Sequence, residues 1–375
     1  MALKNFNPDT FLDEWSEEKY SPLHSQKPLA QCLGEAFDIP PTDTYVYRAQ
    51  AETTLHVTQR AIDAKRQHDL HAWYHDDNGK PTDPPHPSLD EIKAYTALFS
   101  ASANLPKALN SFLKSAKANT LRQDIAAHLT ARFHNTTASN LGLLPSKKDR
   151  QHTNPYLDLW KYSCEELEWA GPLPSTTRTR ISHHILPLFY HHFGCVVPSY
   201  AALHVVAKLA QPARPSKEAV LPILDVGSGN GYWTYMLRHF PLAHIGVTKP
   251  LDVRAIDSQV SEYRVSWIQD TIHMDGKQYL KQNNGGKGCV LLLVYPQATG
   301  DFTAPILKAF EGDTIVVAGT QNKNGFTAFR DMIVDEWVEK NLRHFELTLR
   351  MPLPSFAGKD EALFVFQRKK PGQDG

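Results

Sequence analysis

The chain has 375 residues, with 40 Lys+Arg against 40 Asp+Glu, a formal net charge of zero, and a composition that is 41% hydrophobic and 10% aromatic. That length suggests about two domains of roughly 150 residues each, and the apolar fraction is enough for a sizeable core. The neutral balance excludes a global electrostatic pull toward nucleic acid or an anionic membrane, though it is silent on a local basic face, and no apolar run approaches the ~20 residues that a membrane helix needs.

The opening "MALKNFNPDTFLDEW" lacks an apolar stretch and does not read as a secretory signal. "DDNGKPTDPPHPS" (Asp76–Ser88) is a loop, because its prolines can continue neither a helix nor a central strand. Ser88 and Glu91 then form a capping box for a helix with Leu89, Ile92, Tyr95 and Phe99 on one face. Leu121, Ile125, Leu129 and Phe133 repeat the helical spacing. The polar stretch "ASNLGLLPSKKDRQHTNP" places a boundary near residue 148, so 1–148 reads as an α-helical N-terminal region with a less regular beginning, forming a lid or a partner-binding layer.

From "YLDLWKYSCEELEWAG" to "YAALHVVAKLA" the pattern stays helical, giving a lead-in over 149–215 assigned to one wall of an acceptor cleft. Within it, His183, His184, His191, His192 and Cys195 raise the question of a metal. His184 and His191 share a helical face, but Pro187 is expected to interrupt that helix, and no second cluster completes four ligands. No metal site is therefore expected, and core packing is the simpler role. Cys32, Cys164, Cys195 and Cys289 form no CxxC pair, which fits free thiols in a reducing compartment, cytosol or nucleus.

Over 216–370 the period changes. "LPILDVG", "CVLLLVYP" and "DTIVVAG" are short β-branched runs separated by segments able to form helices, the pattern of a parallel sheet covered on both faces. "FELTLRMPLP" and "EALFVFQRK" alternate apolar and polar residues and read as an antiparallel pair at the sheet edge. The fold expected is a seven-stranded, mostly parallel, doubly wound sheet with that hairpin. "ILDVGSGNGYW" ends its strand in Gly227, Gly229 and Gly231, which bring backbone N–H groups to a ligand at the carboxyl edge of the sheet. The dinucleotide fingerprint G-x-G-x-x-G requires a glycine where this chain has Tyr232.

An apolar strand, an acid and G-x-G-x-G resemble the first motif of the class I S-adenosylmethionine-dependent methyltransferases, over about residues 220–370. "GNGYWTYMLR", "GDTIVVAGTQN" and "PLPSFAGKDEALFVFQRK" further resemble a group of fungal methyltransferase-like proteins, a likeness that implies no substrate. The resemblance implies S-adenosylmethionine as cofactor and assigns roles. Asp257 in "DVRAIDS" would accept from the ribose diol, Asp270 in "VSWIQDT" would meet the adenine amine, and Asp225 would orient the methionine end. Asp257 and Asp270 are too close for a full helix between their strands, so that crossover is expected to be a turn or a loop. "VYPQATGDF" partly matches the Asp/Asn-Pro-Pro-aromatic motif of amino methyltransferases and puts Tyr295 beside the transferable methyl. Tyr295, His273, Asp275 and Asp301 are candidates for a catalytic base by position. The acceptor and the oligomeric state are unread. Two other classes fit the same residues: a non-catalytic scaffold that kept the fold, and a nucleotide-dependent oxidoreductase, which Tyr232 disfavours.

Overall fold

The computed structural model describes residues 2–49, 51–67, 71–76, 78–83, 85–136, 142–146, 150–179, 181–212, 214, 217–245, 249–298 and 301–369. In chain order the strands are β1 (Tyr47–Arg48), β2 (Glu52–Thr53), β3 (His134–Asn135), β4 (Ile223–Val226), β5 (Val253–Asp257), β6 (Ile272–His273), β7 (Val290–Val294), β8 (Thr314–Thr320), β9 (Phe345–Pro352) and β10 (Glu361–Arg368). β1 and β2 form a separate antiparallel ribbon, and the rest form one sheet in the order β3-β9-β10-β8-β7-β4-β5-β6. β4, β5, β6, β7 and β8 are parallel, whereas β10 runs antiparallel to both β8 and β9. The mostly parallel α/β fold expected of the sequence is present, with one addition. The N-terminal region contributes β3, which pairs with β9, so the hairpin does not end the sheet.

The period of two divides each strand between two cores. Leu224, Val226, Ile256, Leu291, Leu293, Ile315 and Val317 face the helices Gly276–Gln282, Thr303–Ala309 and Val334–Asn341. Ile223, Val253, Ala255, Val290, Leu292, Val316 and Ala318 face the other way, toward the helices Tyr200–Ala210 and Tyr232–Arg238 and the N-terminal region. Sheets buried on both faces read as unbroken apolar runs, which is why the strands were legible. Between β5 and β6 the chain forms no helix: residues 258–271 cross as an irregular loop.

Local chemistry sets the helix starts. Ser88 and Glu91 make the expected capping box on the helix Leu89–Thr96. Thr120 caps Leu121–Arg132 and Asn154 caps Pro155–Glu166 through side-chain oxygens. Pro187 does not interrupt a helix, contrary to expectation. It occupies the first turn of Leu186–Phe193, where its missing N–H is no loss.

The expected boundary at residue 148 lies outside the described residues. On either side of it the apolar contacts are continuous. Phe11, Tyr47, Ile92, Tyr95, Ile125 and Leu129 belong to the same buried cluster as Leu292, Val316 and Leu363. The connection between β9 and β10 is buried throughout and receives this layer. Trp160 and Trp169 both donate their indole N–H to the carbonyl of Ser355, at 3.1 and 2.9 Å. His128 Nε2 donates to Asp360 Oδ2 at 2.9 Å.

We therefore expect removal of residues 1–148 to abolish cooperative folding. Each large side chain uncovered forfeits about 1.5–3 kcal/mol, against a total stability of about 5–15 kcal/mol. A soluble truncation with a single sharp thermal transition would show instead that the N-terminal region is separable.

Candidate functional site

In a doubly wound sheet, ligands bind outside the carboxyl ends of the strands where the strand order reverses. Here that point lies between β4 and β7. A cavity of about 680 Å³ opens there, within the range of small-molecule and cofactor sites.

Its floor is the turn after β4. Gly227, Gly229 and Gly231 have φ of 78°, 59° and 81°, a region side-chain-bearing residues rarely adopt. Space adds to the requirement. A Cβ on Gly227 would lie 2.7 Å from Phe302, one on Gly229 2.7 Å from the Tyr263 hydroxyl, and one on Gly231 2.4 Å from Ile268. Gly227 and Gly229 line the cavity, while Gly231 packs behind it and caps the helix Tyr232–Arg238. Between them, Asn230 is 4% exposed. Its Nδ2 and the Ser228 hydroxyl have no hydrogen-bond partner among the described residues, and both residues line the cavity. They are unused donors, which buried polar groups seldom are.

Asp257 ends β5 and faces this floor. Gly229 N–H donates to its Oδ2 at 2.9 Å and Gln259 N–H to its Oδ1 at 2.6 Å. Each carboxylate oxygen retains a lone pair for a diol. The structure thus brings together Asp257, Gly227, Gly229 and Tyr295 among the residues named from sequence.

The other named residues lie elsewhere. Asp270 precedes β6 rather than following it, and Arg238 holds it through two bonds of 2.8 and 3.0 Å, away from the cavity. Directly after β6, Met274, Asp275 and Gly276 do line the cavity, and Asp275 also caps the helix Gly276–Gln282. Asp225 is fully buried beneath the glycine turn, outside the cavity lining, and accepts from the Thr234 hydroxyl at 2.7 Å. Burial, with Asp257 nearby, pushes its carboxyl up to about 7. His273 is exposed on β6, and neither it nor Asp301 lines the cavity.

Tyr295 follows β7 with φ of 50°, a strained value for an aromatic residue. Its N–H is fixed to the Ala318 carbonyl at 2.7 Å. Lys359 Nζ donates to its hydroxyl at 2.9 Å. Tyr190, Phe193 and Cys195 bring the lead-in segment into the cavity wall, and Phe326 enters from the loop after β8. The histidines of that segment diverge. His192 is fully buried, with Nδ1 against the Leu188 carbonyl at 2.8 Å. His191 sits in the wall, with Nδ1 2.9 Å from the Tyr45 hydroxyl and Nε2 against the backbone of Arg48. It fastens the β1–β2 ribbon over the cavity. Sequence reasoning missed Lys359, Tyr263, Phe302, Phe326 and Ser228. The one available signal was "GKDEALF", three consecutive charges immediately before an apolar strand.

No described protein family matches the chain, and no curated protein matches its sequence. Among solved structures, one that is similar is the 1,6-didemethyltoxoflavin-N1-methyltransferase of Burkholderia thailandensis, with bound 1,6-didemethyltoxoflavin and S-adenosylhomocysteine. It is 14% identical, the match covers 45% of this chain and 79% of that one, and the TM-score is 0.26. Another is TnmH, at 14% identity, 75% and 96% coverage and a TM-score of 0.27.

The state of Asp225 has a measurable consequence. With its carboxyl raised from 3.8 to about 7, the folded protein binds a proton there that the unfolded chain has lost. Stability from this group is full at low pH and falls as pH rises across that window. Asp225→Asn, which keeps an acceptor for Thr234, should gain stability relative to the native chain between pH 5 and pH 8, by up to a few kcal/mol. Urea-denaturation curves of the two proteins across that range measure the gain, and a difference that does not change with pH would show that Asp225 is already ionised in the folded protein.

Proposed function

We propose that this chain is an S-adenosylmethionine-dependent methyltransferase. The observation that carries the reading is Asp257, a carboxylate at the end of β5, aimed into the switch-point cavity and tied to Gly229 of a left-handed glycine turn. Such a carboxylate suits a ribose diol. The residues fit the remaining parts of the cofactor as well. Asn230 Nδ2 and the Ser228 hydroxyl are free to hold the amino-acid end, and Met274 and Asp275 stand where the adenine would lie. Asp257, Glu262 and Asp275 outnumber Arg48 around the cavity, which suits a cationic sulfonium. When bound, S-adenosylmethionine supplies an electrophilic methyl group.

The protein's contribution is proximity and alignment. The glycine turn and Asp257 fix one partner, and Tyr295 with Tyr190 orients the other. The β1–β2 ribbon, held by His191, limits water. Of the candidates Tyr295, His273, Asp275 and Asp301, only Tyr295 and Asp275 line the cavity, and Asp275 is engaged as a helix cap, so we retain Tyr295 as the residue that meets the acceptor. The oxidoreductase reading weakens further at Tyr232. Where a dinucleotide enzyme needs a glycine, this side chain is 1% exposed, stacks edge-on to Trp267 at 4.6 Å and donates to Asn154 at 2.9 Å. A scaffold that binds cofactor without turnover remains the alternative. Among the described residues no helix is long and apolar enough to cross a membrane. We take the protein to act in the cytoplasm, where its free cysteines suit a reducing compartment, and to fall with the fungal group that its three motifs resemble.

S-adenosylhomocysteine at 100 times its dissociation constant should add about 2.7 kcal/mol of stability, read as a rise in melting temperature that NAD and NADP do not produce. Asp257→Ala should weaken its binding roughly 10- to 150-fold in calorimetry, the value of a charge-assisted hydrogen bond. Equal affinity in the mutant, or stabilisation by NAD alone, would overturn the assignment.

A further inference from the structure

The cavity has two unlike halves. On the β5–β6 side it carries Asp257, Glu262 and Asp275. On the β7–β8 side its wall is aromatic, built from Tyr190, Tyr295 and Phe326. Behind that wall lies Lys359, 3% exposed and not itself lining the cavity. Its ammonium stands 3.9 Å from the Phe326 ring centroid, 5.3 Å from that of Tyr295 and 5.9 Å from that of Tyr190. Among the described residues it has no carboxylate within ion-pairing distance. Glu361, the nearest acid in sequence beyond Asp360, receives the Phe356 N–H instead. Burial pushes the Glu361 carboxyl up to about 8, so it does not cancel the lysine's charge at neutral pH.

The direction of one hydrogen bond then matters. Lys359 donates to the Tyr295 oxygen at 2.9 Å. Because the phenol accepts there, its own proton is left to donate elsewhere. Among the described residues no acceptor takes it, and Tyr295 faces the cavity. A donor polarised by an adjacent ammonium is stronger than a neutral one. Beside it is a second unused donor. The Tyr190 hydroxyl has no partner among the described residues, on a side chain 6% exposed whose ring lies 5.8 Å from that of Tyr295. Two buried phenols, one of them polarised by a buried cation, thus stand side by side in the wall of an aromatic slot. They call for a flat ligand with an electron-rich oxygen.

We infer that the β7–β8 half of the cavity is a subsite for a small planar aromatic compound bearing an acidic hydroxyl, bound as its oxyanion on the Tyr295 and Tyr190 hydroxyls. This deepens the methyltransferase reading by naming its acceptor class, and it rests on that reading for the transfer step alone. The hydroxyl proton leaves to solvent on binding. The oxyanion lone pair forms the new O–C bond to the methyl group, and the S–C bond breaks with its electrons going to the sulfonium sulfur, which becomes a neutral thioether. Tyr295 is a catalytic residue in this assignment, since it touches the reacting oxygen, and Lys359 is a positioning residue acting through it.

The probe is 4-nitrophenol, whose phenolate absorbs in the visible. It is titrated with pH in the presence of the full-length protein and compared with the free compound. The bound probe should ionise at least one pH unit lower than the free one. Tyr295→Phe, which keeps the ring, should abolish most of that shift and weaken phenolate binding about tenfold or more. Tyr190→Phe should reduce it, and Lys359→Met should do the same if that chain folds. Failure to bind, binding as the neutral phenol, or an unchanged shift in Tyr295→Phe would each overturn the subsite. Calorimetry with S-adenosylhomocysteine on the same samples separates the two claims. Cofactor binding without phenolate binding removes only the acceptor class, and phenolate binding without cofactor binding removes only the methyltransferase reading.

Discussion

Three adjacent ionisable side chains, Lys359, Asp360 and Glu361, are 3%, 0% and 0% exposed at the junction of β9 and β10. Loops usually run over the surface because buried backbone and charge need partners. This one is buried because each group has found one. Asp360 accepts from His128 and, at 2.8 Å, from the Gln321 side chain. Glu361 accepts from Phe356 N–H at 3.1 Å. The Ser355 carbonyl serves two tryptophans. Removing one partner of a buried charge typically costs about 3–5 kcal/mol, so the loop commits three layers at once: the N-terminal helices, the sheet and the aromatic wall of the cavity.

The cavity inherits its geometry from that junction. Strand order alone puts an opening between β4 and β7. What makes it a site is the combination of left-handed glycines on one side and a left-handed Tyr295 on the other. Strained backbone at a tyrosine persists only where its surroundings over-determine it. Here the Ala318 carbonyl holds the N–H, Lys359 holds the hydroxyl, and Tyr190 packs against the ring. The ribbon over the cavity depends on His191, whose ring bridges Tyr45 and the backbone of Arg48. The N-terminal region therefore contributes to the site as well as to the core.

Much of this was legible in the sequence, for reasons that differ by element. β4, β7 and β8 announced themselves as β-branched runs because both faces of the sheet are covered. The glycine turn and Asp257 were legible because their spacing is dictated by one strand end and its neighbour. β6 was not. It has two residues, and the more apolar "VSWI" just before it packs as irregular chain under the helix Tyr232–Arg238, with Trp267 donating to the His192 carbonyl at 2.6 Å. That drew the expected adenine acid to Asp270, whereas the acid after β6 that lines the cavity is Asp275. β3 and the β1–β2 ribbon, two residues per strand, carry no periodic signal. Lys359 was unreadable for a different reason. A charged triplet between strands reads as a solvated turn, and only the tertiary cover supplied by residues far away in sequence buries it.

The central claim is that one cavity, floored by the glycine turn and walled by Asp257 and Tyr295, receives the cofactor. Amide hydrogen exchange on the full chain, with and without saturating S-adenosylhomocysteine, tests it most directly, because it reports where the ligand acts along the backbone. Exchange is expected to slow at residues 227–230, 257–263 and 295–298 and to stay unchanged in the helix Leu105–Lys114, which lies outside the cavity lining. Unchanged exchange at Gly229 and Asp257, or protection confined to the N-terminal helices, would contradict it.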